Sequence, residues 1–254
     1  MNLLKSEWIK VTTTKSAYWL YGIGIVLALG IAVLLGQLEQ SSGGEPVAGA
    51  PGGGSSPLFA ITGVSAFTVL LVWIAAIVAV TGEYRYHTIR STFLVTPARW
   101  PAVVAKTVLF VVLSMIVVAV AVIVSLLVAG VLSGNDEWTP FSGEGLTLLW
   151  RFPVYSALGT VAVMGLAYLM RNAAGTISLF LVWILAVEGM VSLIPRIGQD
   201  IAAWMPFSNG DYWTQGEAMR GFVTWGQWPA FAWFAAVCVA LWVVGLVVTL
   251  RRDA

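Results

Sequence analysis

The run TVLFVVLSMIVVAVAVIVSLLVAGVL, from Thr107 to Leu132, carries no charge over 26 residues and is closed by Lys106 before it and Asp136 after it. A bilayer core about 30 Å thick is crossed by roughly 20 helical residues rising about 1.5 Å each. This run crosses with residues to spare. Lipid offers the backbone no hydrogen-bond partner, and the residues lack the two-residue alternation of a membrane β-barrel strand, so a helix is expected.

Working outward, five more stretches meet the same test of length with at most one charge. Upstream are Tyr18 to Gly36 and Leu58 to Gly82. Downstream are the stretch between Arg151 and Arg171, then Ala174 to Ile194, and Trp228 to Leu250, closed by Arg251 and Arg252. The composition agrees. With 59% hydrophobic residues, 10% charged residues and a mean hydropathy of +0.89, the chain has more apolar surface than 254 residues can hide in a soluble core. The expected fold class is all-α: a polytopic membrane protein with six transmembrane helices, forming a single transmembrane domain over residues 1–254.

An even number of spans puts both termini on one side. If that side is the cytoplasm, it holds Lys5, Lys10, Lys15, Arg85, Arg90, Arg99, Lys106, Arg171, Arg251 and Arg252, ten of the 13 basic residues. Only Arg151, Arg196 and Arg220 then lie outside, as the positive-inside rule requires. The chain is therefore expected in the cell membrane, multi-pass, with both termini cytoplasmic. Its 13 basic and 12 acidic residues nearly balance, so no nucleic acid partner is expected. Met1 to Ala17 is polar or amphipathic and does not read as a cleaved signal.

The connecting segments differ in character. Residues 1–16 are expected to form a short interfacial helix in which Leu4, Trp8 and Val11 recur at i, i+4, i+7, with Lys5, Ser6 and Thr13 facing away. It reads either as an elbow that also touches a partner or as a simple anchor in membrane lipid. Gln37 to Pro57 is a Gly/Ser-rich outer loop, and Ser133 to Trp150 an acidic one. In the outer segment 195–227, Ile197, Ile201, Trp204 and Met205 form an apolar stripe bounded by Pro195 and Pro206, which predicts a short interfacial helix.

Signs of catalysis are missing. The sequence has no G-x-x-x-x-G-K-[ST] loop, and with His87 the only histidine and Cys238 the only cysteine it offers neither H-E-x-x-H nor a Cys/His cluster. No catalytic or metal-binding residue is nominated, and no cofactor is expected in this chain. Glu188 is the one acidic residue well inside a span, about 26 Å along the helix from Arg171. It can face a substrate path, a neighbouring helix or outer water. Trp183 is a second candidate for such a path. It is one of four deep tryptophans, with Trp73, Trp233 and Trp242, for which helix packing is the simpler explanation. Trp8, Trp19, Trp100, Trp138, Trp150, Trp225 and Trp228 fit an interfacial aromatic belt. Gly130 and Gly134 have the spacing that permits close helix approach.

The cytoplasmic segment 83–100 carries the strongest functional signal. On a helical wheel Tyr86, Ile89 and Phe93 share one stripe, Arg85 and Arg90 flank it, and Pro97 ends it before the third span. Such an aromatic ridge with basic edges fits a groove on a cytosolic protein, and it also suits a helix lying on anionic lipid. Glu83, Thr88, Leu94, Pro97, Arg99 and Lys106 together resemble the pattern between the second and third spans of type-2 ABC exporter permeases, in which Glu, Gly-Thr, Leu, Pro, Arg and Lys recur at this kind of spacing. His87 stands where that family usually has glycine. Glu7 and Lys10 resemble part of the family's elbow helix, and Pro195 to Gln227 resembles its outer segment.

The resemblance implies a permease subunit without enzymatic activity of its own. It implies association with a second permease, either a copy or a related chain, and with a cytosolic ABC ATPase that binds ATP and Mg. Glu83, Tyr84, Arg85, His87, Thr88, Arg90, Phe93, Pro97 and Arg99 are then the ATPase-coupling residues, and the substrate is amphipathic or hydrophobic, exported from the cytoplasm or inner leaflet. Two other classes fit the spans. One is an ion-gradient-driven secondary transporter using Glu188, and the other a non-transporting membrane assembly or immunity protein.

Overall fold

The structure is a computed structural model that describes residues 3–13, 15–42, 56–86, 100–135 and 137–251. Those residues form helices and connecting turns, and no strand occurs among them. The protein is an all-α polytopic membrane protein. Six helical stretches are long and apolar enough to cross a bilayer: Ser16–Ser41, Val64–Arg85, Trp100–Ser133, Gly143–Met170, Ala173–Met190 and Gln227–Arg251.

A short helix α1 (Leu3–Thr13) precedes the first span, α2 (Lys15–Ser42). The single turn α3 (Pro57–Ala60) and a π-helical turn at Val64–Thr68 lead into α4 (Val69–Arg85). Next come α5 (Trp100–Ser133) and α6 (Gly143–Met170). Helix α7 (Ala173–Leu181) completes the fifth span through a π-helical stretch, Val182–Val187, and the turn Glu188–Met190. The chain then makes two short helices, α8 (Gly198–Ala202) and α9 (Pro206–Gln215), before the last span, α10 (Gln227–Arg251). We call the end of the bundle that holds α1 basal and the opposite end apical.

Helix α6 is the centre of the bundle, with Phe152, Val163, Met164, Ala167 and Tyr168 all buried, and it packs chiefly against α5 and α10. Apolar side chains gain little by leaving lipid for one another, so close backbone approach and hydrogen bonds hold such a bundle together. Gly165 and Gly245 provide the approach: a Cβ on Gly165 would stand 2.6 Å from the Cα of Trp242. The Trp73 indole adds a bond between spans, donating to the Ser156 carbonyl at 2.9 Å across the α4–α6 contact. The fifth span lies at the periphery, and Leu179, Val182, Leu185 and Met190 are exposed on it.

Gly130 and Gly134 do not bring two spans together. A Cβ on Gly130 would meet the Trp138 carbonyl at 2.6 Å, so this glycine admits the loop that follows α5. Gly134 adopts φ +69° and returns its N–H to the Gly130 carbonyl at 3.0 Å, which ends the helix. Trp138 is consequently buried, packed edge-on to Phe59, rather than part of an interfacial belt.

One further expectation is corrected, and two others gain detail. The acidic loop is shorter than expected because α6 starts at Gly143, where the Ser142 hydroxyl accepts the Gly145 N–H at 3.0 Å and Glu144 sits in the positive first turn. In α1 the inward face is Glu7 and Val11, while Trp8 is exposed. The ion pairs of Glu7 turn that face toward the bundle and leave Trp8 outward, where an interfacial helix meets lipid. In the outer segment the expected short helix lies between Pro195 and Pro206 and is five residues long, with Ile197 and Trp204 exposed. The larger helix, α9, starts at Pro206 and buries Phe207, Asn209, Tyr212 and Trp213. Its buried side mixes polar and aromatic residues and so has no apolar period.

Candidate functional site

Four charged side chains from three helices meet at the basal end. Glu7 and Lys10 come from α1, Glu83 from the last turn of α4, and Lys106 from α5, two turns after its start. Lys106 Nζ lies 2.6 Å from Glu83 Oε1 and 3.3 Å from Glu7 Oε2. Lys10 Nζ lies 2.5 Å from Glu7 Oε1 and 2.9 Å from Glu83 Oε1. Each ammonium therefore bridges both carboxylates, and the ring is neutral overall.

Burial gives the ring its energetic weight. The side chains of Glu7 and Lys106 are 4% and 7% exposed, and that of Glu83 14%. A lone buried charge is far costlier than a paired one, so each member depends on the others. Lys10 is the member nearest water. Burial pulls its pKa down, but the hydrogen bond to Glu7 and the charge of Glu83 outweigh that and hold it above the usual lysine value. The ring thus pins α1 to the junction of α4 and α5.

The same turn of α4 is gripped on another side. The Arg171 guanidinium stands 5.0 Å from the Tyr84 ring centroid, and Arg171 itself takes a left-handed φ of 55° to close α6. Beyond this grip Arg85 and Tyr86 are exposed, the guanidinium lying 5.6 Å from the Tyr86 ring. Glu83, Tyr84 and Arg85 therefore continue the second span, and the segment that begins at residue 83 is not a separate helix at its start. His87, Thr88, Arg90, Phe93, Pro97 and Arg99, with Ile89 and Leu94, lie outside the described residues.

Beside the ring is a cavity of about 490 Å³ bounded by α1, the start of α2, α4 and α5. All four ring residues line it. Thr13, Ser16 and Tyr86 add hydroxyl groups, and the remaining wall is apolar, from Val11 and Ala17 to Ala75, Ala79 and Phe110.

The other sequence candidates lie apically. Glu188 accepts hydrogen bonds from the backbone N–H groups of Phe207 at 3.1 Å and Ser208 at 2.7 Å, from the Ser208 hydroxyl at 2.9 Å and from the Trp183 indole at 2.9 Å. It caps the positive end of α9 from another helix. Glu188 and Trp183 are thus brought together, facing a neighbouring helix. The other deep tryptophans also donate within the protein, Trp233 to the Trp204 carbonyl and Trp242 to the Thr107 hydroxyl.

Sequence reasoning missed Asp211, on α9. Its half-buried carboxylate accepts from the Gln215 amide at 3.5 Å. Burial pushes its pKa up to about 7, the Tyr155 hydroxyl on α6 opposes this, and the nearby Glu188 charge adds to it. A carboxylate in a segment of mixed polarity leaves no spacing signal that would have marked it. Among the described residues no three His, Cys, Asp or Glu side chains gather as a metal-ligand set.

Fold and site together define a multi-pass membrane protein whose basal end is organised around a neutral buried ion ring. The chain matches no family model and no curated protein.

Proposed function

We propose that this chain is the permease subunit of an ATP-driven exporter, of the type-2 ABC class that its sequence resembles. One observation carries the reading. Glu7, Lys10, Glu83 and Lys106 lie up to 99 positions apart in sequence and are all residues of the resemblance, and they converge in one ring at the base of α1, α4 and α5. A ring of this kind links the elbow helix to the helix that leads into the segment 83–100. A push on that segment then reaches three helices at once. The exposed pair Arg85 and Tyr86 is the first surface such a push would meet.

In this reading the basal face is cytoplasmic, both termini lie in the cytoplasm, and the membrane is the cell membrane. A cytosolic ABC ATPase carrying ATP and Mg docks under the segment, a second permease completes the transporter, and the substrate is amphipathic or hydrophobic. The secondary-transporter reading rested on Glu188 as an ion carrier, and the bonds from α9 engage that carboxylate as a helix cap.

The test is ATPase activity of the chain co-purified with its partner ATPase. Arg85→Glu and Tyr86→Ala are expected to uncouple or release the ATPase while the permease stays folded. Glu83→Ala is expected to do so together with loss of stability. Full coupling in all three variants would return the segment to a lipid-bound helix.

A further inference from the structure

The basal cavity is amphipathic, and its polarity runs along the bundle axis. The ion ring and the hydroxyls of Thr13, Ser16 and Tyr86 lie at its basal end, whereas Ala75 lies rather more than two helical turns up α4 from Glu83, about 12 Å toward the bilayer centre. Its volume falls within the range of ligand pockets, about 300–1,000 Å³. An empty space with apolar walls forfeits dispersion contacts along its whole lining, and in a bilayer the nearest filler is a lipid. Ser16 and Tyr86 are exposed and Lys10 is partly so, which puts the mouth among groups that bind a polar head.

We propose that this cavity is a binding site for one phospholipid with a zwitterionic, primary-amine headgroup of the phosphatidylethanolamine class, its chain lying between α2, α4 and α5. The charge pattern selects the head. Two ammoniums and two carboxylates already cancel, so a head of net negative charge would sit unbalanced beside Glu7 and Glu83, while a zwitterion leaves the ring neutral. The phosphate lies within reach of Lys10 and the Ser16 and Tyr86 hydroxyls, and the primary ammonium donates hydrogen bonds to the Glu83 carboxylate, which a trimethylated amine cannot do. The site does not depend on the export reading, because it follows from the cavity and the ring alone.

Native mass spectrometry of the full-length chain tests this, with phosphatidylethanolamine, phosphatidylcholine and phosphatidylglycerol offered at equal concentration. One phosphatidylethanolamine molecule is expected to be retained roughly tenfold better than either other lipid. Ala79→Phe, which fills the apolar wall, should reduce that retention by a similar factor. Ser16→Trp, at an exposed position on the mouth, should do the same and keeps the test decisive if Ala79→Phe fails to fold. Equal retention of the three lipids, or undiminished retention of phosphatidylethanolamine in the folded variants, would overturn the proposal.

Discussion

The two ends of the bundle hold their helices by different chemistry. At the basal end full charges face full charges, and Glu7, Lys10, Glu83 and Lys106 pair with one another through their side chains. At the apical end the carboxylate of Glu188 is met by backbone N–H groups, a hydroxyl and an indole, and that of Asp211 by the Gln215 amide. Side-chain pairs can be re-formed after a helix shifts, because long lysine chains follow their partners. A cap on a helix N-terminus holds only while that helix keeps its position. The basal end is thus suited to transmitting movement and the apical end to resisting it.

The sharpest way to break this contrast is to remove one basal charge. Lys106→Met leaves Glu7 and Glu83 with Lys10 alone and is expected to cost about 3–5 kcal/mol, read as a drop in thermal unfolding temperature in detergent. Adding Glu7→Gln should recover part of the loss, since it removes one of the two carboxylates left to a single lysine. Lys10→Met should cost no more than about 1 kcal/mol, because its side chain is 39% exposed and screened. A loss below that level for Lys106→Met would transfer the basal clamp from charge to packing.

The apical end should respond to pH. Asp211 has a pKa of about 7 in the folded protein against 3.8 in a model carboxyl group. Between those values the folded state holds a proton that the unfolded state has lost, so stability declines as pH rises through this window. The slope is at most about 1.4 kcal/mol per pH unit. Unfolding followed from pH 5 to 8 should show the decline, and Asp211→Asn should flatten it. A wild-type protein with no slope in this range would place the Asp211 carboxylate in contact with water.

The two ends also differed in how far the sequence disclosed them. All six spans were legible because a crossing helix needs a long run with few charges, and length together with charge is written directly in the chain. The basal ring was half legible. Lys106 and Glu83 bound apolar runs and Glu7 and Lys10 sit on a short polar helix, so the residues stood out, but nothing in their spacing showed that α1 folds back onto α5. The apical contacts were barely legible, because the partners of Glu188 are backbone groups of α9 and any sequence supplies those. Helix α9 itself was overlooked, although Pro206 marks its first turn, since its buried face carries Asn209 and Thr214 among aromatics. The start of α6 was missed for a smaller reason: Glu144 reads as loop acidity unless Ser142 is first recognised as a cap.

A milder test of the apical end is Glu188→Gln. The amide keeps one acceptor for the N–H groups of Phe207 and Ser208 but loses the charge that faces the α9 dipole, for an expected cost of about 1 kcal/mol. The indole bond from Trp183 should survive, so its fluorescence should shift little. A much larger loss would mean that the charge itself, rather than the hydrogen bonds, fixes α9.

The smallest effect on stability is expected where the basal grip ends. Arg85 and Tyr86 follow directly on Glu83 and Tyr84, yet both are exposed, and Tyr86 touches the bundle only at the mouth of the basal cavity. Tyr86→Ala should change stability by no more than about 0.5 kcal/mol, in the range of ordinary surface substitutions. The comparison with Lys106→Met then separates two functions within a few ångströms of chain. If the ring holds helices and the exposed pair meets a partner, Lys106→Met lowers the unfolding temperature and Tyr86→Ala lowers only retention of the ATPase. If Tyr86→Ala instead destabilises the isolated chain by more than about 1 kcal/mol, the ring extends past Glu83. The boundary between structure and contact surface would then have to move into the segment after residue 86.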